Sequence, residues 1–290
     1  MWENSPELPD GAPLPERGPG WPTWMGLIAI PAALILASIG GLVVFGIAAA
    51  FGDSIDDPGP AASLGATFVQ DLVFVATALG LAAIVARPRP SDFGLRLPRF
   101  WPAVGWSLLA YVAIAIVGAL ASLAFGVGER DQDNILEDLG VEPGTAWVFV
   151  AAFVICVLAP LCEEFLFRGF VFPALKPRLG VIAAALLSGA IFGSIHITNY
   201  LEEPSRLAAA SIITLITLGT LFALLFWKTG SLLPCIALHA INNSLAFGAM
   251  QGWDWQIAIL LPASLAACGL AVFLAMRFWR VPALARPSSV

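Results

Sequence analysis

Charge is scarce in this chain of 290 residues: Lys, Arg, Asp and Glu together make up 12%, against about 25% in a soluble globular domain. Histidine occurs only twice and cysteine four times. No cluster or stripe of basic residues is present, which excludes the electrostatic footprint of a nucleic-acid-binding surface. The cysteines, Cys156, Cys162, Cys235 and Cys268, lie in apolar runs without CxxC or zinc-ribbon spacing. They read as small packing residues. No basic segment precedes the first apolar run, and residues 1–22 are rich in Pro, Gly and acids. They are expected to form a disordered cytoplasmic tail and not a signal peptide. No internal repeat is evident, and no loop is long enough for a soluble substrate-binding domain.

What the chain has in abundance is apolar surface. Hydrophobic residues are 59% of it and the mean hydropathy is +0.87, the range of polytopic membrane proteins. A bilayer crossing needs about 20 apolar residues. Runs of that order occur at Trp24–Phe51, Leu64–Ala86, Trp101–Val127, Trp147–Phe172, Gly180–Thr198, Leu207–Trp227, Leu232–Met250 and Ile257–Met276. The sequence therefore predicts an all-α, multi-pass protein of about eight spans over residues 23–280, with a short cytoplasmic tail at 281–290. The fourth span is expected to bend near Pro160.

The loops alternate in charge. Arg87, Arg89, Arg96, Arg99, Lys176, Arg178, Lys228, Arg277, Arg280 and Arg286 mark one side. The other side holds Asp53, Asp56, Asp57, the acids between Glu129 and Glu142, Glu202, Glu203 and Asp254, with only Arg130 and Arg206 opposing them. The positive-inside rule then puts both termini in the cytoplasm of a cell-membrane protein. The Arg87–Arg99 loop, with three prolines, is expected to be a hinge. Trp21, Trp24, Trp101, Trp147 and Trp279 fall near span ends as candidate interfacial anchors.

Against this background the buried polar residues stand out. Glu163 and Glu164 close an apolar run, and an intramembrane charge costs at least roughly 2.5–3.5 kcal/mol. Arg168 lies four residues after Glu164, the favourable order for an intrahelical ion pair. Glu163 points roughly 100° away and is left available for chemistry. Both histidines are intramembrane: His196 follows Gly189 and Gly193 on one helix face, where small residues permit close helix approach. His239 and Asn243 are one turn apart and share a face. Helical rise places His196 and His239 about 10 Å apart in depth, so tilt is needed for Glu163, His196, His239 and Asn243 to line one polar cavity within residues 147–250. The basic loops suggest cytoplasmic access to it. Asp71, beside Gln70 in the second span, is the remaining buried acid. It is read as a hydrogen bond to a neighbouring helix in preference to a groove or proton-linked residue.

These residues form three short motifs: Glu163-Glu164-Phe165-Leu166-Phe167-Arg168, Phe192 to His196, and His239 to Asn243. Intact and in order, they resemble the EExxxR, FxxxH and HxxxN/D signature of the CAAX-protease and bacteriocin-processing (Abi) family of intramembrane proteases, whose type II CAAX prenyl endopeptidases are the eukaryotic members. The resemblance implies hydrolysis of a peptide bond in a membrane-associated peptide or protein, a prenylated CaaX-like C-terminus being one form. It makes Glu163, His196, His239 and Asn243 catalytic, with Glu164, Arg168 and Phe192 in support.

Two chemistries fit. In one, Glu163 with His196 takes a proton from the attacking water, and His239 and Asn243 stabilise the oxyanion. In the other, Glu163, His196 and His239 hold a Zn²⁺ with an open position for water. The cofactor is thus either none or Zn²⁺. The metal-independent version is preferred because it gives Asn243 a role and because Glu164 is already engaged by Arg168. The rival classes are a proton-coupled transporter, for which matching broken half-repeats are lacking, and a non-catalytic bacteriocin-immunity or scaffold protein, which has no use for Asn243 one turn after His239.

Overall fold

The computed structural model describes residues 20–128, 135–200 and 205–279. Most of the expected N-terminal tail, the C-terminal tail and the charges at Glu129, Arg130, Glu202, Glu203, Arg280 and Arg286 lie outside the described residues.

The described chain is helical and multi-pass. Its elements are α1 (Thr23–Ala50), α2 (Pro60–Val85), α3 (Phe100–Phe125), α4 (Ile135–Asp138), α5 (Trp147–Phe153), α6 (Ala159–Leu166), α7 (Phe172–Ile195), α8 (Ser205–Thr229), α9 (Leu233–Met250) and α10 (Ile257–Phe278). Helices are what a bilayer permits, since each satisfies its own backbone. Prolines open α2 and α9, where a missing N–H costs nothing. Gly126 closes α3 in a left-handed conformation.

Among the described residues seven helices are long and apolar enough to cross a membrane, and one of them, Trp147–Ile195, runs for 49 residues. It joins α5, α6 and α7 through two π-helical turns, Val154–Leu158 and Phe167–Val171. Each of these widened turns ends two residues before a proline, Pro160 or Pro173. A proline ring clashes with the carbonyl one turn back, and opening the turn relieves that clash. The bend expected at Pro160 is thus taken up as a wider turn.

Within α7 the helix breaks at Gly180, with φ 75° and ψ 172°, a conformation open essentially to glycine alone. The rings of Phe167 and Phe192 have centroids 5.1 Å apart. In a straight helix residues 167 and 192 would stand about 37 Å apart. The segment is therefore a hairpin of two antiparallel arms, where the sequence was read as two separate spans.

This hairpin is the axis of the bundle. In its most apolar stretch 61% of residues are buried, against 17% in α3 and α10, which places those two on the rim. Its second arm packs on α8. A Cβ on Gly189 would lie 2.5 Å from the Thr220 nitrogen and 2.6 Å from the Ile216 carbonyl oxygen, and one on Gly219 would lie 2.8 Å from the Gly189 Cα. The close approach predicted for Gly189 and Gly193 is made to α8.

Aromatic side chains pack together at the arginine-rich end. Trp21, Phe93, Phe165, Phe170 and Trp279 form one group of touching rings with centroids 4.4–6.4 Å apart. Trp21 is buried, whereas Trp24 and Trp101 are exposed as interfacial anchors would be. The expected hinge between α2 and α3 is pinned: Phe93 is fully buried, the Ser231 hydroxyl donates to the Arg96 carbonyl at 2.5 Å, and Leu232 N–H donates to the Gly94 carbonyl at 2.9 Å.

Candidate active site

Glu163 and Glu164 lie on α6, between the two widened turns, and divide as their helical phase predicts. Glu164 is fully buried and accepts a hydrogen bond from Arg168 Nη1 at 2.7 Å. Arg168 also donates to the Gly219 carbonyl at 3.0 Å. Its guanidinium lies 4.7 Å from the Phe192 ring centre and 5.2 Å from that of Phe222. A buried cation held by a carboxylate, a carbonyl and two aromatic faces is what an apolar interior requires.

The same Glu164 oxygen receives His239 Nδ1 at 2.9 Å. The carboxylate fixes the ring and directs Nε2 toward Glu163, whose Oε2 is 3.9 Å away. Glu163 itself is 8% exposed, and its Oε2 has no hydrogen-bond partner.

His196 sits just past the end of α7, where its Nδ1 donates to the Phe192 carbonyl at 2.7 Å. The Phe192 ring packs beside both histidines, its centroid 4.8 Å from that of His196 and 6.1 Å from that of His239.

Asn243 donates from Nδ2 to the Ile155 carbonyl at 2.9 Å. The reason lies in the widened turn. Ala159 N–H bonds back five residues to the Val154 carbonyl. The next such bond would join residue 160 to Ile155, but Pro160 has no N–H, and the Asn243 amide supplies the missing donor. One N–H of that amide is left over.

Glu163, Phe192, His196, His239 and Asn243 all line one cavity of about 700 Å³. Sequence reasoning did not give roles to Thr67, Gln70, Asn242, Thr198 and Tyr200, which share its wall. Asn242 was visible beside Asn243, and Gln70 beside Asp71. Asp71 is 1% exposed, and its Oδ2 has no hydrogen-bond partner. It lies behind the cavity wall, within electrostatic reach of Glu163.

The cavity reaches Asp138, Leu139, Thr198, Tyr200 and Met250, all beside the acidic loops, and none of its lining comes from the arginine-rich loops. The lining thus runs toward the acidic-loop end, whereas access was expected from the arginine-rich side.

Among the described residues no three of His, Cys, Asp and Glu are grouped so as to hold an ion. Glu163, His196 and His239 line the same cavity but are not so grouped. The proposed Zn²⁺ set does not fit this arrangement.

Residues 145–245 match the family model described as Type II CAAX prenyl endopeptidase Rce1-like. Two curated proteins of Bacillus subtilis (strain 168) are similar. One is named "Putative membrane peptidase YdiL", 24% identical over 144 residues, which cover 50% of this chain and 53% of that protein. The other is named "Uncharacterized protein YyaK", 30% identical over 98 residues, 33% of this chain and 32% of that protein. The chain thus spans about half the length of the first and a third of the second. No solved structure matches it.

Proposed function

We propose that this chain, whose residues 145–245 match the Rce1-like CAAX prenyl endopeptidase model, is an intramembrane endopeptidase that cleaves a membrane-associated polypeptide with water activated by Glu163. The observation that carries this reading is the Glu163 carboxylate: buried, with an unpartnered Oε2, on the wall of a cavity that also holds both histidines of the chain.

Glu163 takes a proton from water as its oxygen attacks the scissile carbonyl, and returns a proton to the departing amine as the C–N bond breaks. His196 assists. Its Nδ1 proton is committed to the Phe192 carbonyl, so Nε2 is the basic nitrogen. His239 is held by Glu164 through Nδ1, and donation to the oxyanion calls for a proton on Nε2 as well. The spare N–H of Asn243 is the second donor.

The experiment is cleavage of lipidated and unlipidated peptides by the full chain in detergent, beginning with a prenylated CaaX peptide because the family description names one. Glu163→Gln is expected to lower the rate by roughly 10²–10⁴-fold with unchanged thermal unfolding, and a chelator to leave the wild-type rate unaltered. A Glu163→Gln variant that cleaves at the wild-type rate would remove Glu163 from the chemistry.

A further inference from the structure

Most polar side chains on the cavity wall already have a partner or a role. Glu163, His196, His239 and Asn243 carry the proposed chemistry, and the Thr67 hydroxyl donates to the Ser63 carbonyl of its own helix. Asn242 is different. It lines the same cavity and is half-buried. Its one hydrogen bond among the described residues is a donation from Nδ2 to the Asn243 Oδ1 at 3.4 Å, the long end of the useful range. A carboxamide has two N–H donors and an accepting oxygen, so one donor and Oδ1 remain unused. The ordinary task of an asparagine inside a membrane is a hydrogen bond to a neighbouring helix. Asn243 makes such a bond, to Ile155, and Asn242 makes none.

Its place on α9 says what it can reach. Residues 239, 242, 243 and 246 follow at three- and four-residue steps, so they form one stripe, and all four are on the cavity wall. Along that stripe Asn242 stands about 4.5 Å beyond His239. An extended polypeptide advances about 3.3 Å per residue. A chain lying along α9 with its scissile carbonyl at His239 therefore brings the adjoining peptide unit nearest to Asn242. The unused N–H and oxygen of the carboxamide complement the C=O and N–H of a peptide unit, whatever side chains flank it.

Given the endopeptidase reading above, we infer that Asn242 is a substrate-positioning residue whose carboxamide grips the backbone of the peptide unit next to the scissile bond. Holding that unit keeps the scissile carbonyl in register with Glu163 and its donors, which is where orientation lowers a barrier. The weak bond to Asn243 yields to a substrate carbonyl at little cost.

The test deletes the peptide's backbone N–H groups one at a time. A fluorescent prenylated CaaX peptide and its unprenylated form are made with each backbone amide in turn replaced by an ester, which removes the N–H and weakens the carbonyl as an acceptor. Affinity is measured in detergent for the full chain carrying Glu163→Gln, with Asn242 intact and with Asn242→Ala. Asn242→Leu, which keeps the side-chain volume, is the second variant should the alanine form fold poorly. Cleavage is followed in parallel in proteins that retain Glu163, and mass spectrometry identifies the bond cut.

One ester position is expected to weaken binding roughly fivefold while Asn242 is present and to have no effect once it is replaced. That position is expected to adjoin the bond cut. A role confined to steadying Asn243 would weaken all peptides alike, and that result overturns the inference. So does the same ester profile with and without Asn242, or a responsive position remote from the cut. These failures leave the peptidase reading standing, because cleavage that depends on Glu163 is read separately. A position-specific response in a protein that cleaves nothing overturns the peptidase reading and keeps Asn242 as a peptide-binding residue. Failure of every peptide to bind either protein overturns both.

Discussion

Glu164 serves two partners with one oxygen: Arg168 Nη1 at 2.7 Å and His239 Nδ1 at 2.9 Å. The first contact was legible in the sequence, because four-residue spacing with the acid first is a local rule. The second was not, since it joins residues 75 positions apart and depends on how α9 is rotated against α6. Glu164→Gln leaves Arg168 as an uncompensated buried cation and is expected to cost roughly 3–5 kcal/mol, read as a lower unfolding temperature in detergent. Combining it with Arg168→Met removes the stranded charge and is expected to recover much of that stability, since exchanging a buried pair for apolar volume is often neutral. Activity should stay low in the double variant, because no carboxylate then orients His239. Full activity there would show that His239 needs no such support.

At the scale of elements, the site is organised by the two widened turns on either side of α6. The prolines that cause them, Pro160 and Pro173, are plain in the sequence. What the sequence does not carry is how the chain accommodates them: a kink or a wider turn depends on whether another helix offers a donor to the freed carbonyl. Here α9 does, through Asn243. Asn243→Ala is expected to destabilise by roughly 1–3 kcal/mol, the cost of an unsatisfied buried carbonyl. Pro160→Ala restores an N–H on α6 itself. The double variant should therefore be less destabilised than the sum of the single changes, by about 1 kcal/mol in a double-mutant cycle. Strict additivity would separate Asn243 from that carbonyl. The glycine contacts between α7 and α8, by contrast, were readable from Gly189 and Gly193, because a bare Cα advertises a close neighbour whatever that neighbour is.

For the molecule as a whole, the multi-pass helical character was legible from hydropathy, and the fold-back within the 49-residue helix, read in the sequence as two of about eight spans, rests on Gly180. A side chain there meets no neighbouring atom, so the demand is on the backbone alone. Gly180→Val is expected to lower stability by roughly 1–3 kcal/mol, whereas Gly46→Ala, in α1 with open space around it, should leave unfolding temperature unchanged or slightly raised. Equal effects at the two positions would mean that the hairpin does not need its glycine. The direction of the cavity was not legible. Loop charge reports which end of each helix faces which side, but the open end is decided by where aromatic rings pack, and Trp21 and Trp279 looked like ordinary interfacial residues until their contacts with Phe93 and Phe170 were seen. That packing has an energetic side for the cell. A hydrolytic enzyme must bring water to the middle of a membrane whose ion gradients store usable work, and a passage open at both ends would discharge them. With aromatic rings packed at the end away from the cavity lining, the proposed hydrolysis would draw its water from one side and keep the barrier on the other.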